Sequence, residues 1–166
     1  GSSIYVQNAY DYVDLYPSAS SSGSWFSNLN AFQYESQKLL FRFDTSSLGS
    51  SATIMSATLG LYTSTITNIN NPNVQVYVQP SWPVTTYNAT WYNTGNSLAT
   101  PKSLTNVTNG GITSFTVDSA YINKTGNTDC RLQLSDPPIA SGSYQENSFY
   151  INLNGSTRPY LSILYR

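Results

Sequence analysis

Histidine is absent from this 166-residue chain, and cysteine occurs once, at position 130. The first absence removes the only side chain whose ordinary pKa lies between about pH 5 and 8, and with it the usual pH switch. Together the two absences exclude the common His-based triads and the His/Cys transition-metal sites, and a single cysteine closes no intrachain disulfide. Charge is scarce as well. Asp, Glu, Lys and Arg make up 9% of the residues, against about 25% in ordinary soluble domains. The cations Lys38, Arg42, Lys102, Lys124, Arg131, Arg158 and Arg166 stand singly in the sequence. Nucleic acid is therefore not an expected partner, because its binding rests on clustered cations that displace counterions, and neither is an anionic membrane surface. No apolar run approaches the 18 or more residues of a spanning helix, so no membrane span is expected. The start at Gly1, without Met or signal peptide, reads as that of a processed chain or of an engineered expression product.

What is present takes over the work that charge does elsewhere. Ser, Thr and Asn supply 61 residues, and the net charge is −1, so hydroxyls and amides are expected to solvate the outer faces. The apolar residues fall in a strand period. Leu39, Phe41 and Phe43 alternate with Leu40, Arg42 and Asp44; after a Ser/Gly turn, Ala57, Leu59 and Leu61 alternate with Thr58, Gly60 and Tyr62. These two core strands are expected near the middle of the fold. Val74, Val76 and Val78 give the cleanest alternation in the chain, and further strands are expected at 113–118, 128–134, 147–153 and 160–165. Near the N-terminus Ile4 and Val6 are even-numbered, whereas Val13 and Leu15 are odd. One unbroken strand would put the two pairs on opposite faces, so two elements separated by a bend or bulge are expected. Asp118 is placed to cap a short helical turn over 119–123, and Asn93 to Gly111 reads as a polar loop. Cys130 shares the phase of Leu132 and Leu134, so a buried, inert thiol is expected. About ten short strands with turn signals throughout and no long helical period describe an all-β chain: a two-sheet β-sandwich of jelly-roll or related topology.

Several of these stretches together resemble the DNRLRE-type domain, a β-sandwich of secreted and cell-surface proteins. Ala9-Tyr-Asp-Tyr-Val13 before Pro17 is similar to that family's opening strand, and Lys38-Leu-Leu-Phe-Arg-Phe-Asp44 to its "LLRFD" strand. Ile54 with Ser56-Ala-Thr-Leu-Gly-Leu-Tyr62, Trp82 with Thr90-Trp91-Tyr92-Asn93, Val117-Asp118 and the closing Arg158-Pro-Tyr-Leu161 follow in the family's order. The resemblance covers residues 9–166 and implies a single β-sandwich domain there. It also implies a secreted or cell-surface location and, for some members, polysaccharide binding.

Catalysis finds little to work with. The acids Asp11, Asp14, Glu35, Asp44, Asp118, Asp129, Asp136 and Glu146 read as solvated loop acids; Glu35 and Glu146 are the one Glu pair available for glycosidase chemistry. Asp11 with Asp14 offers oxygens to a calcium ion, but a polar pair at a strand edge is the favoured reading. The chain is thus expected to be a non-enzyme without cofactor or metal. Four sequons, at Asn88, Asn106, Asn123 and Asn154, fall at loops or strand ends and point to N-linked glycans and an extracellular, cell-surface location. Residues 1–8 precede the family-like domain and contain the strand-competent Ile4-Tyr5-Val6. The expected function is therefore that of a structural subunit of a pilus-like filament. These residues would be donated as a strand to the next copy of the same chain, a homopolymer joined by β-augmentation. The neutral Tyr/Ser/Thr/Asn-rich composition is similar in style to the thread-like surface filaments of archaea. The alternative is a carbohydrate-binding module, since an aromatic face covers apolar C–H surface while neighbouring amides bond hydroxyls. Trp25, beside a Ser/Gly loop, is its candidate contact; for Trp82 and Trp91 the DNRLRE resemblance implies core positions.

Overall fold

Strict alternation makes a strand two-faced, and two such faces bury each other as a sandwich. The structure, a computed structural model, describes residues 2–6, 9–15, 22–27, 30–35, 38–80, 97–135, 147–152 and 155–166. In chain order its strands are β1 (Ser2–Val6), β2 (Ala9–Leu15), β3 (Ser22–Ser27), β4 (Asn30–Glu35), β5 (Lys38–Asp44), β6 (Ile54–Thr67), β7 (Asn73–Pro80), β8 (Ser97–Leu98), β9 (Lys102–Ser103), β10 (Gly111–Val117), β11 (Asn127–Leu134), β12 (Ser148–Ile151) and β13 (Tyr160–Tyr165). One sheet runs β1-β13-β6-β10, with β12 also on β6. The second runs β2-β5-β11-β7-β8, with β9 also on β7, and β3 and β4 pair as a hairpin. Every pairing is antiparallel. The chain is all-β and built of two sheets, as its alternation implied.

The faces fall where the period puts them. Phe41 and Phe43 of β5, Val74, Val76 and Val78 of β7, and Cys130 of β11 are fully buried and belong to the same core as Leu59 and Leu61 of β6 and Leu161 and Ile163 of β13. Each such large side chain contributes roughly 1.5–3 kcal/mol relative to leaving it in water. The phase break near residue 8 has a tertiary meaning: β1 pairs with β13 in the first sheet, while β2 pairs with β5 in the second. The β2 register also shifts between Ala9 and Tyr12. Asp118 caps a 3-10 turn over Ser119–Tyr121, accepting from the Ala120 N–H at 2.9 Å.

Two expectations need correction. Residues 93–111 are not a free loop: within the described part, β8 and β9 pair with β7. Leu104 is fully buried, and Ala99 and Val107 nearly so. These three anchors are spaced irregularly, so no period announces them. Asp129 is not a solvated loop acid either. It lies in β11, fully buried, opposite Arg42 of β5, and accepts from Arg42 Nε at 2.9 Å and Nη2 at 3.1 Å. A buried carboxylate is tolerable because this two-pronged partner offsets its desolvation. Next along β11, the buried Arg131 lies 4.6 Å from the Tyr77 ring centroid and donates to Gln133 at 3.1 Å.

Buried threonine pairs tie a loop to each sheet. Thr45 and Thr128 join through their hydroxyls at 2.8 Å, and Thr63 and Thr113 do so at 2.7 Å. In each pair one member takes a loop N–H: Asn123 N–H donates to Thr128 at 2.9 Å and Thr108 N–H to Thr113 at 3.0 Å. The other member donates to the carbonyl of that same loop residue, Thr45 to Asn123 and Thr63 to Thr108. A glycine three residues into each loop, Gly126 or Gly111, lets the side chain of Asn123 or Thr108 lie against it.

Candidate interaction surfaces

β1 lies at the margin of the first sheet, and β13 is its one partner among the described strands. Ile4 stands opposite Ile163 and Val6 opposite Leu161, with Tyr5 opposite Ser162 between them. Ile163 and Leu161 are fully buried, so the candidate donor residues are in register with the core positions of their acceptor strand. In the single chain, Ser2–Val6 completes its own sheet. Exchange between copies would keep every one of these pairings and alter only which molecule supplies β1.

The outer face of the same sheet is aromatic, hydroxylated and without charge on its described strand residues. Along β6 the residues turned away from the core are Thr58, Gly60, Tyr62 and Ser64, since Ala57, Leu59 and Leu61 belong to the core. Gly60 is paired with Tyr160 of β13, whose ring lies across it: a Cβ at residue 60 would sit 2.5 Å from Tyr160 Cε1 and 2.6 Å from its hydroxyl. A glycine inside a strand otherwise weakens it, and here the missing side chain makes room for the neighbouring ring. Tyr62 faces Ile112 of β10 across the pair, and Tyr150 of β12 is in register with Ser64. Tyr150 is 65% exposed and Ile112 42%. The Asn152 N–H donates to the Tyr62 carbonyl at 3.0 Å, which holds the end of β12 beside Tyr62. Nothing in the sequence singled out these tyrosines, because they come from three strands; the signal available was that Tyr62, Tyr150 and Tyr160 each lie out of phase with the core positions around them.

The sequons differ in surroundings. Asn106 is exposed at the end of a 3-10 turn, beside a shallow cleft of about 470 Å³ that Lys102, Ser114 and Phe115 also line. Asn123 is half-buried, and its side-chain oxygen accepts from the Thr125 N–H at 3.1 Å. Asn88 and Asn154 lie outside the described residues, as do Trp82, Trp91, Asp136 and Glu146. Trp25 is in β3 opposite Phe32 of β4, Glu35 ends β4, and Asp11 and Asp14 are in β2; their backbones are described and their side chains are not. Cys130 is fully buried, and burial first, then the neighbouring Asp129 charge, pushes its thiol pKa well above the ordinary range. Among the described residues no three His, Cys, Asp or Glu side chains gather as a metal site, and no helix is long and apolar enough to cross a membrane.

No protein-family model matches the chain, and no curated protein matches it. The DNRLRE resemblance therefore stands on the quoted residues alone. One similar solved structure comes from work on the structural basis for the promiscuous specificity of carbohydrate-binding modules from the β-sandwich superfamily. The match has a TM-score of 0.36 and 10% identity, and covers 99% of this chain. This chain spans 56% of that one's length. At this level the likeness carries no argument about what the chain binds.

Proposed function

We propose that the chain is a structural subunit of an extracellular filament, joined head to tail by donation of β1 to β13 of the next copy. The observation behind this reading is the position of β1. It is a five-residue strand at a sheet margin, and the strand that follows it, β2, belongs to the opposite sheet. Moving such a strand to a neighbour leaves the remaining pairings of both sheets intact. The scarcity of charge and the four sequons accord with an exterior that is glycosylated and faces away from the cell.

The joint is modest by itself. Burying Ile4 and Val6 is worth roughly 1.5–3 kcal/mol each, and the strand hydrogen bonds add about 1 kcal/mol each net, before association costs. Lateral contacts between copies are needed for a durable fibre.

The register supplies the experiment. Tyr5 and Ser162 are directly opposed, and Cα atoms so opposed are about 4.5–5.5 Å apart, within reach of a disulfide. Tyr5→Cys/Ser162→Cys, oxidised after assembly, is expected to run as a covalent ladder on a denaturing gel. Removal of residues 1–8 is expected to abolish filaments in negative-stain microscopy. Linkage confined to monomers, or filaments that persist without residues 1–8, would overturn the proposal.

A further inference from the structure

The outer face of the five-stranded sheet, whose marginal strand is β1, is a second surface, and away from β1 it carries a row of aromatic rings. Tyr160 lies over Gly60, Tyr62 follows on the same side of β6, and Tyr150 is in register with Ser64. Positions 60, 62 and 64 succeed one another in two-residue steps of about 7 Å, so the three tyrosines follow β6 over about 14 Å. The row crosses three strands yet stays on one face, because β12 and β13 both pair with β6. Ile112 widens it on the β10 side.

The chemistry around the row narrows what could lie on it. The described strand residues of this face include Thr58, Ser64, Ser114, Thr116 and Ser162, and no Asp, Glu, Lys or Arg. A charged ligand would lose water along β6 and find no counter-charge in the described strands of this sheet; the cation Lys102 of β9 lies at the β10 edge, beside Ser114 and Thr116. A helical peptide would present apolar knobs to a face whose described side chains are mostly hydroxyls and phenols. A chain of sugars has both parts that this surface offers to pair with: C–H faces for the flat aromatic rings and hydroxyls for the serines, threonines and phenol groups. We propose that this face binds an uncharged polysaccharide in extended form along β6, with Tyr62 and Tyr150 as the principal contacts and Tyr160 as the ring held flat by Gly60. These contacts come from β6, β12 and β13 and do not depend on whether the chain polymerises.

The test uses the full chain, with affinity electrophoresis in gels containing soluble galactomannan and sedimentation with insoluble cellulose as neutral probes, and gels containing alginate as the anionic one. Binding to at least one neutral polymer and none to alginate is expected. Tyr62→Ala/Tyr150→Ala should weaken that binding roughly tenfold, as loss of central aromatic contacts does at other interfaces, while Tyr62→Phe/Tyr150→Phe keeps most of it. If the double alanine variant loses its cooperative thermal melt, Tyr150→Ala alone carries the comparison, since that residue is 65% exposed. The proposal fails if neither neutral polymer binds, if alginate binds more strongly, or if the alanine variants bind as the parent does. It also fails if analytical ultracentrifugation shows this face to be occupied by a second copy, with the alanine variants dissociating.

Discussion

Replacing Thr128 by valine removes one hydroxyl and almost no volume, and the proton accounting around it states what should follow. Thr45 has a single hydroxyl proton, and it lies in reach of the Asn123 carbonyl and, at 3.0 Å, the Gly126 carbonyl. With that proton directed to the loop, the 2.8 Å contact between the two threonines must be donated by Thr128, whose oxygen in turn accepts the Asn123 N–H at 2.9 Å. Valine at 128 therefore deletes two bonds at a position with no exposure and leaves an N–H without its acceptor. An unmade bond of this kind costs about 1–3 kcal/mol, and for a domain of this length each kcal/mol lowers Tm by about 2–4 °C. The assay is denaturant unfolding with parallel thermal melts of Thr45→Val, Thr128→Val and the double variant. The residues touch, so the double variant should cost less than the sum, with a coupling of about 0.5–3 kcal/mol. Thr113→Val makes the matching lesion in the other sheet, where Thr113 accepts from Thr108 and joins Thr63. Combined with Thr128→Val it should be additive within about 0.5 kcal/mol. A Thr128→Val protein within about 0.5 kcal/mol of the parent, or additivity of the Thr45 and Thr128 changes, would refute this hydrogen-bonded arrangement.

Two further outcomes concern titration and reactivity. Asp44 is held below its ordinary carboxyl pKa of 3.8 by the Ser46 hydroxyl, at 2.6 Å, and then by the Ser46 N–H, at 3.0 Å. A depressed folded pKa means a contribution that is present above the ordinary value and lost as pH falls through the lower folded one. Ser46→Ala should move the Asp44 titration, followed by carboxyl NMR, upward toward 3.8, and an unmoved titration would remove the hydroxyl as its cause. The Cys130 thiol, buried and kept protonated, should resist maleimide labelling at pH 8 in the native protein and label fully in denaturant. Native labelling at the rate of a small free thiol would contradict its placement.

Much of the sandwich was legible because a strand's side-chain period follows from covalent geometry: once Phe41, Leu59 or Val76 sits in the core, its neighbours at i±2 share that face. The split into two elements around residue 8 was legible too, although Val13 and Leu15 stand opposite Leu40 and Lys38 and not opposite the core residue Phe41, and so was the turn capped by Asp118, which needs only contacts two residues away. Pairing between distant segments has no such local signal. Arg42 and Asp129 are separated by 87 positions, and an acid that reads as solvated becomes a buried, paired one only when β5 and β11 lie side by side. Leu104 and Val107 pass for loop residues until β9 joins β7. Tyr62, Tyr150 and Tyr160 become one surface solely because β12 and β13 both flank β6, and Tyr160 lies flat there because its partner across the pair is a glycine. The alternation of residues determined which face each side chain takes. Which faces meet, and which rings and charges become neighbours, was decided by long-range strand order, since the pleat repeats every two residues in any sheet and does not name a strand's partner.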